Sequence, residues 1–101
     1  MRKKAIELTT TWKGVNEGDS LEGVYIKSEL VKGNYGEQNK YVIETPDGDK
    51  KGVFANRSLE RQFANIPEGS YVWIVYKGES TTRAGRTVKV YEVEYDDEYS
   101  K

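Results

Sequence analysis

Apolar and polar residues alternate over five stretches of the chain, and a helical spacing interrupts the series once. In residues 21–31, Val24, Ile26 and Leu30 share one parity while Tyr25, Lys27 and Glu29 share the other, which predicts a strand. Gly23 within that run predicts a bulge or sharp bend, the device by which one long strand serves both halves of a barrel. A second strand is expected over 41–45, with Tyr41 and Ile43 on one face, and a third over 51–55. Pro46, Asp47, Gly48 and Asp49 between them form a hairpin turn, since Pro presets one turn dihedral and Gly tolerates positive φ. Over 57–64 the period changes to that of a helix. Leu59 and Phe63 sit four apart, Asn56 or Ser58 can cap the start, and Pro67 and Gly69 stop the chain beyond the end. Residues 71–76 alternate again, with Val72, Ile74 and Tyr76 on one face and Tyr71, Trp73 and Val75 on the other. A last strand is expected over 87–95, where Val88 and Val90 oppose Lys89 and Tyr91, and the shift to Val93 and Tyr95 suggests a bulge.

The order of three strands, one helix and two strands predicts an all-β protein, specifically a five-stranded OB-fold barrel with one short helix between strands 3 and 4. The helix is too short to be stable alone and is expected to plug one end of the barrel. One domain is expected over 1–95, with residues 1–19 as an N-terminal extension packed on it and 96–101 as a short acidic C-terminal tail. Trp12, isolated among polar residues, reads either as a cap over the core or as a stacking ring. Parity leaves Phe54 and Trp73 open between outward and covered positions.

Composition changes the picture in three ways. Hydrophobic residues make up 36% of the 101, and charged residues 33%, so the core is thin and each strand has one apolar face to bury. Eight tyrosines and two tryptophans supply flat rings with polar tips, suited to strands and to half-exposed binding surfaces. There is no Cys and no His, which excludes disulfides, thiolate metal sites, histidine triads and imidazole proton shuttles. No cofactor and no metal are expected. Residues 78–85 lack the phosphate-loop pattern, residues 33–36 lack a dinucleotide fingerprint, and 47–49 lack the rest of a calcium loop. An enzyme is therefore not expected.

The net charge is −1, which by itself argues against nucleic acid. The last six residues hold three of the 17 acids and one of the 16 bases, so the remainder carries 14 acids and 15 bases. A local basic groove is compatible with that balance. In an OB-fold the loops after strands 1 and 4 flank the binding face, and these are residues 32–40 and 77–89 here. Single-stranded nucleic acid needs cations for phosphates and rings on which bases stack. Tyr25, Lys27, Tyr35, Lys40, Trp73, Arg83, Arg86, Lys89 and Tyr91 are the residues of those types placed by the strand numbering in or beside the two loops.

The chain also resembles small bacteriophage-type single-stranded DNA-binding proteins with one OB-fold. The resemblance rests on Gly18-Asp-Ser-Leu-Glu-Gly23 opening the first long strand, the Tyr41 strand, the helix with Leu59, Pro67-Glu-Gly69 leading into Tyr71-Val-Trp-Ile-Val-Tyr-Lys-Gly78, and Lys89-Val-Tyr-Glu-Val93. It implies a viral protein that coats single-stranded DNA during DNA replication or recombination, while the residues themselves leave both DNA and RNA open as ligands. It also implies an acidic C-terminus that recruits replication or recombination proteins, although the tail here is short and ends in Lys101. A homodimer through an open strand edge is a further expectation. The basic start at Met1 is followed by no apolar run, and no stretch is apolar enough to span a membrane, so a soluble cytoplasmic protein is expected, in the host cytoplasm if phage-encoded. The alternative reading is an OB-type protein-interaction module, such as a phage accessory protein acting on a host factor.

Overall fold

A computed structural model describes residues 10–33 and 36–98. In chain order the elements are β1 (Thr10–Thr11), β2 (Ser20–Gly33), β3 (Gly36–Glu44), β4 (Lys50–Phe54), α1 (Arg57–Phe63), β5 (Tyr71–Thr81) and β6 (Thr87–Asp96). Among the described residues the protein is all-β with one short helix, which falls where expected, before the last two strands. Two parts of the expectation are corrected. Among the described residues there are six strands rather than five, because Thr10 and Thr11 run parallel to β4 opposite Lys51 and Gly52. The sheet is open, in the order β1-β4-β3-β2-β5-β6, so among the described residues no backbone ladder closes it into a barrel.

β2 is long because it serves two partners. Ser20 to Val24 pair with β5, and from Val24 onward the strand pairs with β3. Gly23 stands at the changeover, where an added Cβ would lie 2.2 Å from the carbonyl oxygen of Glu44. The bare backbone lets the strands approach there. The expected bulge is present but lies at Ile26, between the paired positions Tyr25 and Lys27. It resets the alternation, so Tyr25 turns inward opposite Ile43 while Lys27 is exposed. The break suspected in the last strand falls instead on its partner, where Lys77 is the extra residue between Tyr76 and Gly78.

The two expected loops are mostly ribbon. β2 and β3 stay paired to Gly33 opposite Gly36, and β5 and β6 to Thr81 opposite Thr87. The hairpin at the end of β3 forms as expected, with Thr45 N–H donating to the Asp49 carbonyl at 2.8 Å and Gly48 at φ +89°. Asp96 pairs with Tyr71 and so belongs to β6 rather than to a tail.

Leu59 and Phe63 insert into the core from α1 and are almost fully buried, as the plug requires. Phe63 stacks on Tyr41 with centroids 4.1 Å apart and meets Tyr25 edge-on at 5.0 Å. Losing such a buried ring costs roughly 3–5 kcal/mol. Asn56 caps the helix, accepting the Leu59 N–H at 2.9 Å.

The helix has a second task. Its cap residue and two of its polar side chains satisfy the backbone of β6, which among the described residues has no strand on that side. Asn56 Nδ2 donates to the Lys89 carbonyl at 2.9 Å, and Gln62 Nε2 donates to the Tyr91 carbonyl at 2.8 Å. Gln62 Oε1 accepts the Val93 N–H at 2.7 Å, while Ser58 Oγ both accepts from Tyr91 N–H and donates to its carbonyl at 3.2 Å.

The segment before β2 runs from the β4 edge across the core side of the sheet to β5 and β6. Trp12 N–H donates to the Gly52 carbonyl at 2.9 Å and its ring lies 6.1 Å from that of Tyr91, so Trp12 covers the core. Gly14 sits against Tyr76, where an added Cβ would come within 2.3 Å of the ring. Among the described residues no helix is long and apolar enough to cross a membrane.

Candidate nucleic-acid interface

A groove of about 880 Å³ separates α1 from the β5–β6 hairpin. Arg57, Ser58, Arg61 and Gln62 line it from the helix, and Thr82, Arg83, Ala84, Arg86, Val88 and Val90 from the hairpin. Asn56 and Lys89, joined by their hydrogen bond, complete the lining. Among the described residues no acidic residue lines the groove, and none of the four arginines forms an ion pair.

Each wall follows from local sequence. Because Leu59 and Phe63 face the core, Arg57 and Arg61 are left together on the exposed side, four residues apart. Two like charges at that spacing destabilise a helix by about 0.2–0.5 kcal/mol, so stability does not account for them. Arg83 and Arg86 flank a tight turn in which Thr82 N–H donates to the Arg86 carbonyl at 2.8 Å and Gly85 takes φ +80°. Lys89 is held differently: its Nζ donates to the Gly14 carbonyl at 2.6 Å and lies 5.4 Å from the Tyr76 ring centroid. That ammonium fixes the groove's end more than it is available to a ligand.

Of the residues expected to bind, the structure brings Arg83, Arg86 and Lys89 together. Tyr25 and Tyr91 are corrected: both rings are buried, Tyr25 against Tyr41 and Phe63 and Tyr91 against Tyr76 and Trp12. The reset at Ile26 turned one inward. The other faces inward because the inner parity of β6 is that of Lys89, Tyr91 and Val93, leaving Val88 41% exposed. Lys27 and Lys40 are both drawn onto Glu29, at 2.8 and 3.5 Å, and these ammonium groups, chiefly Lys27, hold the Glu29 carboxyl below its ordinary pKa. They lie on the β2–β3 ribbon, and neither lines the groove. Tyr35 lies outside the described residues. Trp73 is exposed, as one of its two readings had it, but stands between Glu22 and Glu94 in register. Phe54 is partly exposed on β4.

Arg57 and Arg61 carry no expectation from the sequence, because the pattern that reveals the helix is its buried pair, Leu59 and Phe63. Their spacing was the available signal.

The chain gives no match to a protein-family model, to a curated protein or to a solved structure.

Proposed function

We propose that the protein binds single-stranded DNA without sequence preference, through the groove between α1 and the β5–β6 hairpin. The observation that carries this reading is four arginines on two facing walls that, among the described residues, form no ion pair and have no acidic residue between them. Guanidinium groups present a planar fork of donors that matches phosphate oxygens, and two such rows suit a polyanion that passes along a groove. Exposed Val88, with Val90 and Ala84, offers an apolar surface to sugars and bases. The strand order β4-β3-β2-β5-β6, with the helix between β4 and β5, supports an OB-type arrangement in which α1 and β1 occupy the open edges. Coating of single strands in replication or recombination follows from such an activity.

The binding mode differs from the ring-stacking one expected from sequence. With Tyr25 and Tyr91 buried, affinity comes mainly from phosphate contacts and falls steeply with salt. Fluorescence anisotropy of a labelled oligo-dT, titrated at increasing salt, tests it. Four phosphate contacts give a log–log slope of about −3 for a single strand. Absence of binding at low salt, or binding unchanged in a variant with Arg57, Arg61, Arg83 and Arg86 all replaced by Glu, overturns it.

A further inference from the structure

The outer face of the β2–β5–β6 layer carries an apolar stripe on β5, with Glu22 on one flank and a line of carboxylates, Glu92, Glu94 and Asp96, on the other. The register sets it: Trp73 stands between Glu22 on β2 and Glu94 on β6, Tyr71 between Val24 and Asp96, and Val75 beside Glu92. Residues directly opposite in a ladder, and those two apart along a strand, project from one face. Trp73 is 39% exposed, and its ring lies 4.9 Å from that of Tyr71 at 56°. Tyr71 Oη donates to Glu22 Oε2 at 2.7 Å, which holds that ring in place. A hollow of about 670 Å³ opens beside the two rings, and a second of about 290 Å³ lies at Trp73, Val75, Glu92 and Glu94.

Neither hollow has a Lys or Arg in its lining. Carboxylates on both flanks repel phosphates, so this face is not an extension of the cationic groove. Nor is it a metal site: the acids are spread along the strands, and among the described residues no group of three or more converges. Lys77 Nζ reaches Glu92 at 3.9 Å, which illustrates the chemistry these carboxylates accept. An exposed Trp73 beside half-buried Tyr71, with a charged rim, has the make-up of a contact surface, where aromatic anchors that become buried carry most of the binding energy. A two-fold contact with a second copy of this face would set carboxylate against carboxylate.

We infer that this face docks a basic segment of a partner protein. Apolar side chains of the segment lie on Tyr71, Trp73 and Val75, and its lysines or arginines meet Glu22, Glu92, Glu94 and Asp96. Opposite charge on the rim steers encounter and excludes acidic partners, and a cation over the Trp73 ring adds to the attraction. The inference stands apart from the nucleic-acid proposal, since it uses different residues and a ligand of opposite charge.

The test is anisotropy of a labelled synthetic peptide of alternating Leu and Lys, with a Leu–Glu peptide as control. The Leu–Lys peptide is expected to bind the full chain, and to weaken by about tenfold or more in Trp73→Ala and in the double variant Glu22→Lys/Glu94→Lys. Arg83→Glu/Arg86→Glu is expected to leave peptide affinity unreduced while lowering oligo-dT affinity. The inference is overturned by equal binding of the Leu–Glu peptide, or by Leu–Lys binding that neither face variant changes. A dimer seen by sedimentation velocity and lost in Trp73→Ala also overturns it, because a second copy then covers the face. Should Trp73→Ala fail to fold, the Glu22→Lys/Glu94→Lys variant decides alone.

Discussion

At its hairpin end the β5–β6 ribbon presents Arg83 and Arg86 beside two helix arginines; at its other end the same strands hold Trp73 between Glu22 and Glu94. One face of β6 runs through Val88 and Val90 to Glu92, Glu94 and Asp96, from a cationic neighbourhood to an anionic one. The difference teaches that a net charge of −1 is the sum of two segregated fields, neither of which is near neutral. It also separates two uses of exposed apolar surface. Val88 and Val90 lie among cations, where a polyanion is welcome, and Trp73 lies among acids, where it is not.

Charge exchange between the ends is the strongest way to break this comparison. Reversing Arg57, Arg61, Arg83 and Arg86 to Glu is expected to lower oligo-dT affinity by about a hundredfold or more at low salt, because each phosphate contact is replaced by repulsion. Replacing one arginine by Ala lowers it several-fold and reduces the magnitude of the salt slope by about 0.7. Both are read by anisotropy. Glu22→Lys/Glu94→Lys sharpens the contrast from the other end. By making the acidic face basic, it is expected to raise oligo-dT affinity by about two- to fivefold while the Leu–Lys peptide is lost.

Gln62→Leu loosens the wall rather than the charge. It removes the hydrogen bonds to the Tyr91 carbonyl, which keeps Ser58 Oγ, and to the Val93 N–H, which loses its partner at a cost of about 1–3 kcal/mol. Thermal unfolding is expected to shift down accordingly, and oligo-dT affinity to fall because α1 carries Arg57 and Arg61. Peptide affinity is expected to hold.

The smallest effect concerns neither end. Burial, with Glu60 and Tyr25 adding to it, pushes the Tyr41 hydroxyl up to about 12. Its unfolded value is about 10. The raised folded value means that its contribution is whole below pH ~10 and is lost as pH rises toward ~12, where the unfolded chain releases the proton more readily. Denaturant titrations over that range are expected to show a smaller loss of stability in Tyr41→Phe than in the unchanged chain.

Much of the fold was legible because periodicity is a local property. The Pro46–Asp49 turn, the Asn56 cap, the Leu59 and Phe63 plug and the inward row Val72, Ile74, Tyr76 all rest on near neighbours. Tyr25 and Tyr91 were not legible. Their direction depends on a bulge at Ile26 and on which side of β6 meets Tyr76, and parity in a single strand specifies neither. The open edge was equally hidden, since closure of a sheet depends on how far its ends curl toward each other. Arg83 and Arg86 were found from loop position, whereas the groove they complete needed the exposed side of a helix assigned to packing.

The way Asn56, Ser58 and Gln62 hold β6 bears on how this protein goes wrong. A strand edge covered by another strand is protected by backbone, whatever the side chains are. Here the cover consists of three side chains, so a change of residue uncovers the pairing groups which that side chain holds. An uncovered edge is a template for a strand of another molecule. Variants at these positions are therefore expected to lose solubility as concentration rises, even where the isolated molecule keeps its fold.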